Sequence, residues 1–208
     1  MTKIIGICGI SGSGKTFYLN KLKNDSSVSP ITIVSFDDYY KPIHLQTKDK
    51  NGKINFDLPS ALNLQKFLDD IGNLKNGIPV EFEKYHFNNS SKSKVISILE
   101  PAPIIVLEGI FIFHFKEIFD LINYKIYIEA DLDTTFERRK KRDIVERGLK
   151  ENEVIYQWEN HVLPSYHEFI LPYKQHADMI LHNENPKDFS FESLKMKEII
   201  ISLKSNEK

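Results

Sequence analysis

The sequence has little of what would direct a chain to a membrane or an oxidising compartment. Its 208 residues include one cysteine, Cys8, which cannot form a disulfide within the chain and is expected to be a small core residue. No apolar run approaches the ~18 residues of a membrane span, and no secretory leader precedes the first apolar strand. We therefore expect a cytoplasmic protein with no membrane partner.

An excess of charge of one sign is also missing. The formal net charge is −1 at pH 7, so no global electrostatic attraction to nucleic acid is expected. The seven histidines show neither an HExxH pattern nor Cys/His ligand spacing, which argues against a structural zinc.

Residues 9–16 carry the most informative pattern, Gly-Ile-Ser-Gly-Ser-Gly-Lys-Thr. It fits G-x-x-x-x-G-K-[ST], the phosphate-binding P-loop, and it lies between a predicted strand and a predicted helix, as that motif requires. Its glycines let backbone N–H groups turn toward phosphate oxygens at the positive end of a helix dipole. Lys15 adds charge for the β- and γ-phosphates, and the Thr16 hydroxyl is placed for Mg²⁺. The phosphate-binding candidates are Gly9, Ser11, Gly12, Ser13, Gly14, Lys15 and Thr16.

Apolar runs alternate with helical patterns along the chain. Strands are predicted at 3–8, 31–36, 104–107, 125–129 and 179–181, and helices at about 60–76, 114–121, 132–147, 151–170 and 190–204. The alternation predicts an α/β fold of the P-loop NTPase type, a mostly parallel sheet with helices on both faces. A turn-rich Asn88-Asn89-Ser90-Ser91 predicts a small β-hairpin insertion over about 78–100. One domain of residues 1–208 is the economical interpretation.

Three further segments place carboxylates where they can serve chemistry. Glu108 ends a predicted buried strand, where it can hold Mg²⁺ or cap the next turn. Asp37 and Asp38 follow the second strand; one can face the γ-phosphate as a base while the other caps the turn, and Asp37 lies nearer the strand end. Asp57 and Ser60 precede a helix, so the residues alone favour an N-cap role there.

A charged helix end from Arg138 to Gly148 has two interpretations. Arg139–Asp143, Arg142–Glu146 and Asp143–Arg147 are i,i+4 pairs of a solvated helix. Alternatively, the arginines belong to a helical lid over about 138–152 that closes on the polyphosphate, and supplied arginines of that kind are worth roughly 10³–10⁵ in rate. With Glu137 counted, six basic residues stand against three acidic ones, so the segment has a net positive charge. The residues alone leave both interpretations open.

In this order the segments resemble the uridine kinase (uridine–cytidine kinase) family, from Ile4 to about Asp178. The landmarks are GISGSGKT, FDDYYK, NFDLPSAL, the Tyr85-His86-Phe87 segment, IIVLEG, RRKKRDIVERG and the stretch from Pro172 to Asp178. The resemblance implies phosphoryl transfer from ATP or GTP, with Mg²⁺, to the 5′-hydroxyl of a pyrimidine nucleoside.

The resemblance also assigns roles by position. Asp37 matches the catalytic base, Asp57 the carboxylate that grips the ribose hydroxyls in place of an N-cap role, and Glu108 the carboxylate on the magnesium side. Arg142 and Arg147 match lid arginines near the phosphates and join Asp37 and Lys15 as the catalytic candidates. The implied substrate contacts are Tyr40, Phe56, Asp57, Tyr85, Phe87, Arg139 and Gln157.

Two positions depart from the family pattern. Ser90 stands where the family has a histidine that contacts the base, and Leu149 stands where it usually has an arginine after the Arg-Gly of the lid. Both changes fall on substrate recognition, so a kinase of the same build for another nucleoside or hydroxyl metabolite is an alternative. A non-catalytic nucleotide-binding regulator is a third, although the N-K-x-D motif of GTPase switches is missing. The phosphate donor and homo-oligomer formation stay open.

Overall fold

A five-stranded parallel sheet forms the centre of the protein. The computed structural model describes residues 2–28, 30–83, 96–184 and 188–205. The strands in these residues are β1 (Lys3–Cys8), β2 (Ile31–Ser35), β3 (Val80–Glu83), β4 (Ile96–Leu99), β5 (Ile104–Glu108), β6 (Tyr124–Glu129) and β7 (Met179–His182). The main sheet has the order β2-β5-β1-β6-β7, and every neighbouring pair is parallel. The predicted parallel sheet is confirmed.

Helices follow the strands as predicted. They are α1 (Lys15–Asn24), α2 (Leu64–Lys75), α3 (Lys116–Leu121), α4 (Leu132–Val145), α5 (Glu151–Gln157), α6 (Leu163–Ser165) and α7 (Asp188–Ser205). The stretch 151–170 is helical throughout but widens to π geometry at Trp158–Val162 and Tyr166–Ile170. Pro164 lies between these turns and cannot donate a backbone hydrogen bond. Among the described residues, no helix combines the length and the apolarity needed to span a bilayer.

Side chains alternate between the two faces of the sheet, and helices cover both. In β1, Ile4 and Cys8 join one core cluster while Ile5 and Ile7 join the other, as the period of two in a strand requires. The first cluster includes apolar residues of α2 and α3, and the second includes those of α1 and α7. Cys8 is fully buried, and burial raises the pKa of its thiol to about 12. It is the core residue that the sequence predicts.

The predicted hairpin is present as a separate two-stranded sheet. β3 and β4 pair antiparallel, with Val80 opposite Leu99 and Glu83 opposite Ile96. Three residues assigned from the sequence, Tyr85, Phe87 and Ser90, lie outside the described residues.

Candidate active site

The P-loop connects β1 to α1 at the carboxyl edge of the sheet. Gly12 and Gly14 have φ angles of 88° and 102°, in the left-handed region that favours glycine. A Cβ at Gly12 would lie 2.4 Å from the carbonyl oxygen of Thr135, and one at Gly14 would lie 2.1 Å from Asn183 Nδ2. Asn183, after β7, also donates to the carbonyl oxygen of Ser13 at 2.7 Å. There is no room for a side chain at Gly12 or Gly14, because α4 and the residue after β7 pack directly against the loop backbone.

Lys15 lies buried against the same loop. Its Nζ donates to the carbonyl oxygens of Gly9 at 2.9 Å and Ile10 at 3.3 Å. Carbonyl oxygens satisfy these donors but carry no formal negative charge, so the ammonium group can also attract an anion at the loop. Thr16, the next residue, is exposed at the start of α1.

Two carboxylates face this region from neighbouring strands. In the register of the sheet, Glu108 of β5 lies beside Ile7 of β1 and Ser35 of β2, and it accepts a hydrogen bond from Ser35 Oγ. Burial and the negative charge of Asp37 raise the pKa of Glu108 to about 7, against the attraction of Lys15. One carboxylate oxygen of Asp37, Oδ1, is buried and has no hydrogen-bond partner among the residues that the structure describes. The strand ends therefore concentrate acidic groups opposite the P-loop.

Asp143 binds three arginines at the end of α4. Its side chain is fully buried; Oδ1 lies 2.8 Å from Arg142 Nε and 3.2 Å from Arg147 Nη1, and Oδ2 lies 3.2 Å from Arg139 Nε. One buried carboxylate thus balances two guanidinium groups of α4 and a third, that of Arg147, two residues after the helix ends. This arrangement fixes where the arginines point.

The interpretation of this helix end as a solvated face is wrong. Two of the predicted pairs form, Arg139–Asp143 and Asp143–Arg147, but their shared carboxylate is buried. In the described part of the chain, Arg142 pairs with Asp143 rather than with Glu146. The sequence spacing reveals which residues can pair and not which face of the helix packs inward.

Asp57 forms a buried ion pair and does not cap a helix. Arg139 Nη1 lies 3.4 Å from Asp57 Oδ1, and Arg139 Nη2 lies 3.3 Å from Gln157 Oε1. α2 begins at Leu64 and is capped by Asn63, so the N-cap role that the residues alone favour for Asp57 or Ser60 is wrong. Arg139 therefore joins both carboxylates, Asp57 and Asp143, to α5.

Nine of the eighteen predicted site residues line one cleft of about 630 Å³, open solvent included. They are Ser11, Asp37, Tyr40, Phe56, Asp57, Arg139, Arg142, Arg147 and Gln157. Tyr40 and Phe56 meet edge to face, with ring centroids 5.7 Å apart. Leu149, one of the two departures, also lines the cleft.

Sequence reasoning missed three residues of this cleft, Ile54, Ile110 and His161. Ile110 comes two residues after Glu108, and Ile54 two before Phe56, so neighbouring assignments could have pointed to them. His161 follows Gln157 by four residues, the spacing that places two side chains on one helix face. That spacing was the available signal for the histidine.

The fold and the cleft define a P-loop phosphotransferase. Ser11 of the glycine-rich loop, Asp37 and three arginines line a single cleft. The same loop holds the buried Lys15, and Glu108 lies at the neighbouring strand end. The chain belongs to the phosphoribulokinase/uridine kinase family, whose model matches residues 4–190.

Curated relatives agree with this family, and solved structures agree with the fold. The chain is 37% identical over 180 residues to a uridine kinase of Staphylococcus carnosus, covering 86% of each chain. It is 37% identical over 188 residues to a uridine kinase of Borreliella burgdorferi, covering 88% of this chain and 90% of the relative. Among solved structures, a putative fructose transport system kinase from Silicibacter has a TM-score of 0.66 at 16% identity, covering 86% of this chain and 89% of that one. The structural likeness supports the fold alone.

Proposed function

We propose that the protein transfers the γ-phosphoryl group of ATP or GTP to the 5′-hydroxyl of a pyrimidine nucleoside, uridine or cytidine. Two curated relatives that support this proposal are uridine kinases, and each matches this chain over most of both lengths. The observation that carries the proposal is the shared cleft, in which the P-loop residue Ser11 and the buried Asp57–Arg139 pair line the same cavity. A phosphate donor and a polyhydroxylated acceptor can therefore meet there.

Asp37 is the proposed base. Its Oδ1 is buried and accepts no hydrogen bond from the described part of the chain, and an unpaired buried acceptor costs free energy. A hydroxyl of the acceptor would satisfy that oxygen and be oriented by it. The same contact lets the carboxylate take the hydroxyl proton as the oxygen attacks.

Asp57 is the proposed ribose-binding group. Arg139 holds the carboxylate in place and is itself held by Gln157 and Asp143. A fixed carboxylate can accept hydrogen bonds from two neighbouring hydroxyls, the arrangement that a ribose 2′,3′-diol offers. Tyr40 and Phe56 supply an aromatic wall beside it.

The P-loop fits the polyphosphate of a nucleoside triphosphate. Gly12 and Gly14 have backbone conformations that let N–H groups turn toward phosphate oxygens. Lys15 lies against the loop on two carbonyl oxygens and also attracts the carboxylate of Glu108. Arg142 approaches the same loop, with Nη2 3.4 Å from Ser11 Oγ. We assign Arg142 and Arg147 to the transferring phosphate and residues 138–152 to a lid.

Thr16 and Glu108 are the residues that would hold Mg²⁺. No cluster of three or more acidic, histidine or cysteine ligands occurs among the described residues, which suits a Mg²⁺ bound through one or two protein groups, phosphates and water. The repulsion between Glu108 and Asp37 that raises the pKa of Glu108 would be relieved by a cation. When bound, Mg²⁺ neutralises charge on the phosphate oxygens.

A transfer screen tests the proposal. Purified protein is incubated with Mg²⁺, ATP or GTP, and each of uridine, cytidine, adenosine and guanosine, and nucleoside 5′-monophosphates are separated and quantified. We expect UMP, CMP or both, with the Asp37→Asn variant as the background. Purine nucleotides as the main products, or no nucleotide product above that background, would contradict the proposal.

A second candidate acceptor follows from Leu149. An apolar side chain lines the cleft where the family pattern usually has an arginine, so another nucleoside or hydroxyl metabolite is the alternative substrate. Four statements stay sequence-based predictions: that the chain is one domain, that it is cytoplasmic, that it binds no nucleic acid, and that it can form a homo-oligomer.

A further inference from the structure

His161 is a buried histidine of the substrate cleft. Its side chain is 2% exposed, and it lies in the π-helical turn Trp158–Val162, four residues after Gln157. Both side chains line the cleft that also contains Asp57 and Phe56. π-helical turns inside α-helices often occur at functional sites because they redirect side chains.

One ring nitrogen of His161 is held by a distant loop. Nε2 lies 2.8 Å from Asp49 Oδ2, and the Tyr156 hydroxyl donates to the same oxygen at 2.6 Å. The other oxygen, Oδ1, accepts from the backbone N–H groups of Asn51 at 2.8 Å and Lys53 at 2.9 Å. These hydrogen bonds, that of Tyr156 first, hold the pKa of the Asp49 carboxyl well below its usual range.

An ionised Asp49 determines the tautomer of His161. A carboxylate can only accept hydrogen bonds, so the neutral imidazole carries its proton on Nε2. Nδ1 is then a lone-pair acceptor, and it has no hydrogen-bond partner among the described residues. The neutral ring therefore offers the cleft an acceptor whose tautomer Asp49 sets.

We propose that His161 is a specificity-determining residue whose Nδ1 accepts a hydrogen bond from the polar edge of the nucleobase. The inference rests on the proposed nucleoside kinase activity. Uracil presents the N3–H donor on that edge and cytosine presents its 4-amino group, so one acceptor can serve either base. Asp49 acts through His161 as a positioning residue, and the pair supplies polar recognition in a cleft where Leu149 offers none.

The His161→Gln variant separates base recognition by Nδ1 from the hydrogen bond between Nε2 and Asp49. The glutamine amide N–H can still donate to Asp49 in place of Nε2. Its acceptor, Oε1, is on the same terminal carbon as that N–H group and not at the position of Nδ1, which is bonded to Cγ. We expect kcat/KM for the better pyrimidine nucleoside to fall about tenfold or more, with the KM for ATP unchanged. His167→Gln is the matched control, because His167 is exposed on the same helical stretch and should leave both constants at the parent values.

Substrates with a blocked donor test the contact itself. The parent enzyme should use 3-methyluridine less well than uridine, or N4,N4-dimethylcytidine less well than cytidine, and His161→Gln should reduce that discrimination toward unity. Asp49→Asn provides a second variant if His161→Gln does not fold. Its amide can donate to Nε2 and move the ring proton to Nδ1, so the discrimination should fall there too.

The outcomes separate this inference from the proposed function. A parent enzyme that phosphorylates no nucleoside refutes the kinase proposal and, with it, the inference. A parent that phosphorylates uridine or cytidine but accepts the blocked base equally well overturns the inference alone. Undiminished discrimination in a folded His161→Gln or Asp49→Asn variant also overturns the inference. His161 would then have only a structural role, connecting the loop at Asp49 to its helix.

Discussion

Replacing Asp143 by asparagine removes the charge that balances three arginines while keeping the size of the side chain. Arg139 keeps its partners Asp57 and Gln157, but Arg142 and Arg147 lose their carboxylate. Breaking a buried ion pair from one side costs about 3–5 kcal/mol. Because Arg142 and Arg147 are 32% and 23% exposed, water compensates part of that cost. We expect a loss of about 3 kcal/mol in the free energy of unfolding, at the lower end of that range.

Thermal unfolding measures this loss directly. In a protein of this size, about 3 kcal/mol corresponds to a decrease of roughly 6–12 °C in Tm. Glu146→Gln is the matched control, because it neutralises an exposed carboxylate three residues further along the same chain segment. The control should shift Tm by no more than about 2 °C, since exposed ion pairs contribute roughly 0–1 kcal/mol.

The kinetic consequence distinguishes a structural carboxylate from a positioning one. If Asp143 aims Arg142 at the P-loop, where Nη2 lies 3.4 Å from Ser11 Oγ, Asp143→Asn should lower kcat at least about tenfold, ~1.4 kcal/mol. The rate is measured well below the Tm of the variant, at saturating ATP, Mg²⁺ and nucleoside. A lower Tm with parental kcat would make the carboxylate structural only. An unchanged Tm would refute the argument that it is buried and charge-balancing.

Three further substitutions test the remaining groups. Asp37→Asn should lower kcat by a factor of about 10² or more, the lower end for general-base catalysis, with little change in the Kd for ATP measured by calorimetry; a near-parental kcat would assign the base elsewhere. Asp57→Asn should raise the KM for uridine about tenfold without changing the KM for ATP. The parent enzyme should use 2′-deoxyuridine poorly, because the buried Asp57 acceptor loses its donor. Equal use of uridine and 2′-deoxyuridine would contradict ribose recognition by Asp57. Glu108 binds a proton more tightly in the folded chain, with a pKa raised from 4.5 to about 7, so its contribution to stability falls as pH rises through that interval. Urea titrations without nucleotide should show a smaller fall for Glu108→Gln, and parallel pH profiles would contradict the raised pKa.

The sequence predicts the fold well because its signals are local. The P-loop spacing and the apolar runs at 31–36 and 104–107 are each complete within a few residues, and all become parts of the parallel sheet or its loop. The helical pattern over 151–170 is also confirmed, but its two π turns are not predictable from apolar periodicity. Pro164 marks an irregularity there without specifying its form.

The site is predicted less completely because its decisive contacts join distant segments. Asp57 and Arg139 are 82 residues apart, and Asp49 and His161 are 112 residues apart. Only the tertiary fold reveals that Asp143 is buried, since i,i+4 spacing is the same on an exposed and on a packed face. The family resemblance supplied Asp57 by position, whereas nothing comparable pointed to His161.

The packing of the helix that carries His161 indicates whether the nucleobase can be recognised before the proposed lid closes. Trp158 and Val162, on either side of it, pack with Ile10 of the P-loop in one buried cluster, and Trp158 also lies against Phe136 of α4, with ring centroids 5.3 Å apart. An imidazole carried by this packed helix keeps its position relative to the phosphate-binding loop, because a close-packed core resists displacement. If residues 138–152 form the proposed lid, the arginine that the family pattern places at position 149 would instead move with it. Replacing a recognition group on the lid by one on the packed helix would therefore let the nucleobase be read before the lid closes.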